Sequence, residues 1–207
     1  HLQRRFSGKP HFMLGFSLGS FLLREYLTKY PEEGGIAGAI IMGTGHQPGW
    51  LLTIMQWIVK GQIKKTGFDG TTDLVRQLSF GTYNQKFKPN RTDADWLCAD
   101  EAELDKYLAD PLVRKDISAG LFWELLGCMK RTGHSFAYGG LPILLISGQD
   151  DPVGNGGKGV QAIYQRMVAG HENVTMKLFP GARHDLLHEE QNGADAARKL
   201  IAEWIKG

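Results

Sequence analysis

Four short apolar runs in this chain have the character of strands that are buried on both faces. They lie at 11–15, 36–42, 142–147 and 174–179. Continuous apolar runs, rather than alternating ones, are typical of a parallel sheet with helices on both faces. Stretches with helical spacing lie at 20–30, 157–168 and 192–205. In the last of these, Asn192 and Asp195 predict a helix cap. The pattern therefore predicts an α/β fold with a parallel sheet flanked by helices.

The segment 44–140 has a different pattern, because it shows helical periodicity and many aromatic residues but no convincing strand. Asp100 and Glu103 form a capping box, which predicts a helix over residues 101–108. The segment is too long for a plain crossover between parallel strands. We therefore interpret it as an inserted helical cap, and the alternative is a separate all-α domain without a role in binding. Residues 1–43 and 141–207 are then the two parts of the α/β core.

One apolar stripe stands out in this cap. It consists of Trp50, Ile54, Trp57 and Ile58. These residues are spaced as one face of a helix, and we expect that face either to roof a pocket or to pack against the rest of the cap. The aromatic residues of the cap, Trp96 among them, are expected to form mainly its core.

Composition and charge narrow the function classes. The 207 residues are 42% hydrophobic and carry a formal net charge of +2, which fits one domain with a sizeable core. No run of basic residues exceeds two, so nothing predicts a nucleic-acid partner. No apolar run reaches the ~18–20 residues of a transmembrane segment. Cys98 and Cys128 lack metal-ligand spacing, and we expect free thiols in a reducing, cytoplasmic compartment, with a single disulfide as the alternative.

The sequence Gly15-Phe16-Ser17-Leu18-Gly19 joins the first strand to the helix that follows it. A G-x-S-x-G motif between a strand and a helix predicts a tight, strained turn with an exposed nucleophilic serine. We expect Gly15 and Gly19 to leave room where strand and helix nearly touch. The N–H of Leu18, at the helix N-terminus, can face an oxyanion that forms beside Ser17. The alternative is an ordinary glycine-rich turn.

Two further reactive side chains follow strands. One is an acid, at either Asp150 or Asp151, after the third strand, and the other is His184 after the fourth. The carboxyl ends of parallel strands lie at one edge of a sheet, where sites form. A serine hydroxyl becomes a good nucleophile when an imidazole accepts its proton, and a carboxylate orients that imidazole. The residues alone leave Asp150 and Asp151 as equal candidates.

The motifs quoted above make this chain resemble a known family. They are accompanied by similar stretches at 79–84, 91–97, 147–154 and 183–189. Together they resemble the α/β-hydrolases of the monoacylglycerol lipase and lysophospholipase group, sometimes classed with serine aminopeptidases. The order Ser…Asp…His is also that of α/β-hydrolases. In the family pattern the acid lies three residues after the glycine that ends the strand, here Gly148, and this selects Asp151.

The resemblance implies an α/β-hydrolase fold and the hydrolysis of a carboxylic ester. Ser17 would be the nucleophile, His184 the base, Asp151 its orienting partner and Leu18 an oxyanion donor. The partner implied is a small-molecule ester or a lipid, and neither a metal nor another cofactor is implied. The alternatives are an aminopeptidase or a thioesterase that uses the same triad, or a non-catalytic hydrolase fragment.

The family pattern also contains several strands before the nucleophile turn, and a His-Gly loop that supplies another oxyanion donor. This chain shows neither before the strand at 11–15. That strand is apolar enough to be central, and an open apolar edge promotes aggregation. We therefore expect residues preceding His1, or a second copy of the chain in a homodimer, to cover this edge.

Other polar residues receive simpler interpretations. We expect His46, His134 and His171 to lie in surface loops and His188 to be a polar neighbour of His184. Glu189 and Glu190 are expected to cap or solvate the start of a helix.

Overall fold

The computed structural model describes residues 2–30, 35–113, 116–134, 138–170 and 173–207, so that His171 lies outside the described residues. Within these residues the strands are β1 (Phe12–Phe16), β2 (Gly38–Met42), β3 (Ile143–Gly148) and β4 (Val174–Phe179). They form a sheet of order β1-β2-β3-β4 in which every neighbouring pair is parallel. The parallel sheet is confirmed, and the strand bounds agree with the sequence prediction to within two residues.

Helices surround this sheet. They are α1 (Leu2–Arg5), α2 (Leu18–Lys29), α3 (Gly49–Thr66), α4 (Asp73–Ser79), α5 (Glu101–Ala109), α6 (Ala119–Thr132), α7 (Lys158–Val168) and α8 (Ala194–Lys206). Short 3₁₀ helices span Tyr83–Phe87, Leu186–His188 and Glu190–Asn192. None of the helices that the structure describes has the length and apolar character needed to span a bilayer.

The sheet has a core on each face. Along β2, Ala39 and Ile41 pack with side chains of α2 and α7, whereas Ile40 and Met42 pack with side chains of α8. β3 is buried along its whole length. Burial on both faces explains why these strands are continuous apolar runs.

β1 has the open edge that the sequence predicts for this chain. It lies at the edge of the described sheet, and its register with β2 runs from the pair Phe12–Gly38 to the pair Phe16–Met42. Its other edge pairs with no strand among the described residues. Met13 and Leu14 of this strand are exposed.

Helices α3 to α6 and the 3₁₀ helix at Tyr83–Phe87 lie between β2 and β3, in the segment whose pattern predicts an insertion. Their core contains Leu52, Val59, Val75, Phe122 and Leu126. The predicted cap of α5 is confirmed, because the side chain of Asp100 accepts hydrogen bonds from the backbone N–H groups of Ala102 and Glu103.

Of the two expectations for the apolar stripe of α3, packing against the rest of the cap is wrong. Trp57 is 79% exposed and Trp50 is 67% exposed, and Ile54 and Ile58 are exposed as well. The buried stripe contains Leu52 and Val59 instead. α3 is apolar on several sides, so that helical spacing alone does not determine which side packs against the neighbouring helices.

The predicted cap of the last helix is also wrong. α8 begins at Ala194, its N-cap position is Gly193 with φ 107°, and no side chain caps it. Asn192 lies in the preceding 3₁₀ helix, and its side-chain amide donates to Glu189. Glycine adopts this left-handed conformation without a steric penalty, which lets the chain turn directly from the 3₁₀ helix into α8.

Arg24 of α2 holds both ends of the inserted segment. It is 1% exposed, and its guanidinium donates to Thr44 Oγ1 (3.2 Å), to the carbonyl of Gly45 (3.3 Å) and to the carbonyl of Thr132 (2.8 Å). Burial lowers the pKa of this guanidinium. Arg24 therefore links residues 44–45, which follow β2, to the end of α6, which precedes β3.

Candidate catalytic site

Ser17 lies on the turn between β1 and α2 in a conformation that few non-glycine residues adopt. Its φ is 52° and its ψ is −120°. Such backbone strain is concentrated at functional sites. The turn brings strand and helix so close that a Cβ added to Gly15 would clash with the carbonyl of Gly19 and with Leu23. Gly19 itself has open space among the described residues, so the steric role predicted for it is wrong.

The side chain of His184 lies between those of Ser17 and Asp151. His184 Nε2 is 2.8 Å from Ser17 Oγ, and His184 Nδ1 is 2.9 Å from Asp151 Oδ2. His184 and Asp151 are buried, whereas Ser17 is half-buried. The structure therefore brings together the three side chains that the sequence motifs indicated. Ser17 contacts His184, and His184 contacts Asp151, which is the order that a nucleophile, a base and an orienting acid require.

The carboxylate of Asp151 is held by further contacts. Its Oδ2 also accepts from Ser147 Oγ at 3.1 Å, and its Oδ1 accepts from the N–H of Val153 at 2.8 Å. Asp150 points elsewhere and forms an exposed ion pair with Lys86 at 2.7 Å. The geometry thus separates two acids that the residues alone left equivalent.

The loops that carry the acid and the histidine are joined through their backbones. The N–H of Gln149 donates to Phe179 (2.8 Å) and that of Asp150 donates to Ala182 (2.9 Å). A side chain at Gly148 would clash with the carbonyl of Arg183, so this close approach requires a glycine. Fixing the two loops together fixes the distance between Asp151 and His184.

Aromatic rings contact the imidazole of His184. The centroid of the Phe16 ring lies 4.9 Å away and that of the Trp96 ring lies 5.1 Å away. At Gly43 (φ 61°) a Cβ would press on the imidazole, so glycine leaves space for the ring. The sequence pattern predicts Trp96 in the core of the insertion and does not indicate its contact with a residue far along the chain.

The insertion approaches the site at other points too. The guanidinium of Arg183 donates to the carbonyls of Asp95 and Cys98 and lies over the ring of Phe87. Tyr83 lies near Asp151. Burial and, to a smaller extent, the charge of Asp151 raise the pKa of the Tyr83 phenol to about 12. One wall of the site is therefore formed by inserted residues.

Leu18 is the first residue of α2. Its N–H is one of the groups at a helix start that have no acceptor within the helix, and the positive end of the helix dipole lies there. The carbonyl of Ser17 accepts from Ser20 Oγ at 2.6 Å, which adds a further contact within the turn. These features are compatible with an oxyanion forming beside Ser17.

The remaining candidates lie outside this constellation. His188 is exposed and contacts Asp185. His46 is near Arg166, and its pKa is lowered by burial and by the neighbouring positive charges. The expectation for Glu189 is wrong, because this residue is fully buried rather than solvated. Cys98 and Cys128 are free, buried thiols whose pKa values burial raises to about 12.

The fold is shared with solved hydrolase structures. A carboxyl esterase from Bacillus coagulans is 24% identical with a TM-score of 0.86, over 100% of this chain and 67% of that chain. A monoacylglycerol lipase from Paleococcus ferrophilus is 19% identical with a TM-score of 0.67, over 96% and 68%. A monoglyceride lipase variant from Saccharomyces cerevisiae is 18% identical with a TM-score of 0.69, over 99% and 64%. The chain thus spans about two thirds of the length of these structures.

A comparison with curated protein sequences found no significant match. The family described as serine aminopeptidase, S33, matches residues 1–191, which is most of the chain. This match agrees with the order of the elements, with the turn at Ser17 and with the structural neighbours. The chain therefore belongs to the serine aminopeptidase S33 family and has the α/β-hydrolase fold.

Proposed function

We propose that this protein is a serine hydrolase that cleaves carboxylic esters through Ser17, His184 and Asp151. The observation that carries the proposal is the continuous contact from Ser17 Oγ to His184 (2.8 Å) and from His184 to Asp151 (2.9 Å). The strained turn that presents Ser17 supports the same role. The fold shared with an esterase and with two lipases agrees with it.

In the proposed mechanism, Ser17 Oγ attacks the carbonyl carbon of the ester and His184 Nε2 accepts the hydroxyl proton. Asp151 keeps the other ring nitrogen protonated and stabilises the imidazolium. The N–H of Leu18 donates to the oxyanion. His184 then protonates the leaving alcohol, which leaves an acyl group on Ser17. Water, deprotonated by His184, attacks this acyl-enzyme and releases the acid.

We propose lipid-like esters, such as a monoacylglycerol or a lysophospholipid, or small apolar esters as substrates. The segment 44–140 would act as a cap over the acyl group. The apolar rings of Trp96 and Phe16 beside His184 support an apolar substrate. An aminopeptidase or a thioesterase would use the same three residues. The aminopeptidase is the more specific alternative, because the matching family is described as serine aminopeptidase.

Labelling with a fluorophosphonate and hydrolysis of p-nitrophenyl butyrate test the proposal. Wild type should be labelled and should hydrolyse the ester, whereas Ser17→Ala should do neither. Ser7→Ala, at an exposed position before β1, is the matched serine control and should behave as wild type. Cleavage of an aminoacyl p-nitroanilide without ester cleavage would support the aminopeptidase instead. Absence of labelling would indicate a non-catalytic chain.

A further inference from the structure

Glu189 is a carboxylic acid that the proposed mechanism does not use, yet it is 0% exposed. It follows the 3₁₀ helix Leu186–His188 and belongs to the same loop as His184. Burying a carboxylate is unfavourable unless hydrogen bonds satisfy its oxygens. Its partners therefore indicate what this burial achieves.

The carboxylate of Glu189 joins two separate parts of the chain. Its Oε1 accepts from the N–H of Arg183 at 2.9 Å and from the N–H of Ala99 at 2.9 Å. Its Oε2 accepts from the side-chain amide of Asn192 at 3.2 Å. One oxygen thus connects the residue directly before His184 to the segment inserted between β2 and β3.

Further contacts run alongside this one. The N–H of Asp185 donates to the carbonyl of Leu97 at 2.7 Å, and the thiol of Cys98 donates to the carbonyl of His188 at 3.3 Å. Burial and then the charge of Glu189 raise the pKa of Cys98 to about 12, so this thiol keeps its proton. Residues 97–99 are therefore bonded to the histidine loop both before and after His184.

The same inserted stretch presents a ring to the histidine. Trp96, directly before residues 97–99, lies 5.1 Å from the His184 ring between centroids and is itself buried. Any displacement of residues 97–99 from the histidine loop would move this ring. The Trp96 ring therefore confines the imidazole of His184, and the position of Trp96 depends on the backbone contacts between residues 97–99 and the histidine loop.

We propose that Glu189 is a positioning residue that holds His184 in line between Ser17 and Asp151 by bonding the backbones of Arg183 and Ala99. This inference rests on the proposed function, because it assigns Glu189 a role in that reaction. Glu189 acts through the backbone and through Trp96, and it does not touch the reacting atoms. Geometry of this kind matters because a misplacement of about 1 Å can reduce a rate by about 10²-fold.

Three variants separate this role from simple stabilisation. Glu189→Ala removes all three hydrogen bonds, whereas Glu189→Gln keeps an oxygen that can accept from Arg183 and Ala99. Glu190→Gln is the matched control, because the neighbouring Glu190 is half exposed and pairs with Arg198 at the surface. The kcat for p-nitrophenyl butyrate is divided by the number of sites that a fluorophosphonate labels at completion, so that unfolded molecules do not contribute.

We expect kcat per labelled site to fall by about 10²-fold in Glu189→Ala. Glu189→Gln should recover part of this loss, and Glu190→Gln should match wild type. The Nδ1 proton resonance of His184 should shift or broaden in Glu189→Ala, which reports the contact with Asp151 directly. An unchanged kcat per labelled site together with an unchanged resonance would show that Glu189 only stabilises the fold.

The resonance also distinguishes the two proposals. If wild type neither labels nor hydrolyses esters, the proposed function fails, and a shifted resonance in the Glu189 variants still supports the positioning role. If Glu189→Ala does not fold, Glu189→Asp decides, because its shorter side chain keeps a carboxylate that cannot reach the N–H groups of both Arg183 and Ala99, and it should lower kcat per site or move the resonance. No change in either quantity in Glu189→Asp would then overturn the inference.

Discussion

The ring of Trp96 lies against the imidazole of His184, with their centroids 5.1 Å apart and their planes inclined by 37°. Trp96 also stacks on Phe80 and contacts Tyr83, so an aromatic cluster of the insertion backs the histidine. The position of the histidine ring therefore depends on a part of the chain that contains neither the proposed nucleophile nor the acid.

Substitution of Trp96 should affect turnover more than substrate affinity. Trp96→Phe keeps an aromatic ring and should lower kcat modestly, whereas Trp96→Ala leaves a cavity and should also destabilise the fold by about 3–5 kcal/mol. Trp57→Phe is the control, because Trp57 is 79% exposed. Steady-state kinetics and denaturant unfolding measure both effects. A rise in KM with unchanged kcat in Trp96→Phe would show that this ring contacts the substrate without positioning His184.

The two neighbouring acids should differ sharply in their effect on activity. Asp151→Asn deprives His184 of the partner that fixes its tautomer, and comparable changes reduce kcat by about 10⁴-fold. Asp150→Asn removes only an exposed ion pair with Lys86, a kind of contact that contributes about 0–1 kcal/mol. Ester hydrolysis by the purified variants checks this. Equal losses at the two positions would contradict the assignment of the acid.

Local pattern was sufficient where one run of residues determines the outcome. The four apolar runs predicted the strands, and the motif at residues 15–19 predicted the strained turn. Ser17, His184 and an acid at 150 or 151 each follow a strand, which predicted that they would meet, since parallel strands share a carboxyl edge. The resemblance to the family selected Asp151. The structure has them in contact, and their part in catalysis stays a prediction.

Pattern failed where the outcome depends on distant partners. Several sides of α3 are apolar, so spacing alone does not show which side is buried. The buried side contains Leu52 and not the predicted stripe. Glu189 looked like a surface acid, since its partner Ala99 lies 90 positions away along the chain.

The two glycines of the serine motif should respond differently to substitution. Gly15→Ala places a methyl group against the Gly19 carbonyl and Leu23, and overpacking of this kind costs about 1–3 kcal/mol. Gly19→Ala meets open space in the first turn of α2 and should not destabilise the fold. Urea unfolding measures both. Equal destabilisation would show that the turn cannot accept a side chain at either position.

An ion pair between two helices should make stability depend on acid pH. The side chain of Arg131 on α6 binds Glu25 on α2 through two hydrogen bonds and lowers the pKa of Glu25 from 4.5 to about 2. A lowered pKa contributes stability above 4.5, and this stability is lost as the pH falls toward 2. Glu25→Gln should therefore lose less stability than wild type between these values. Glu203→Gln, which alters an exposed pair with Lys199, should behave as wild type.

Acyl-chain length should distinguish a lipid-like substrate from a small polar one. If the acyl group lies against Trp96 and Phe16 on the apolar side of the site, each methylene that it buries contributes ~0.8 kcal/mol, or about fourfold in kcat/KM. The kcat/KM should then rise from p-nitrophenyl acetate to butyrate, and on to octanoate if the pocket is long enough. Trp96→Ala should flatten this rise, whereas Trp57→Ala, at an exposed position of α3, should preserve it. A steady fall from acetate onward would reject the lipid-like substrate and favour a small ester or a peptide.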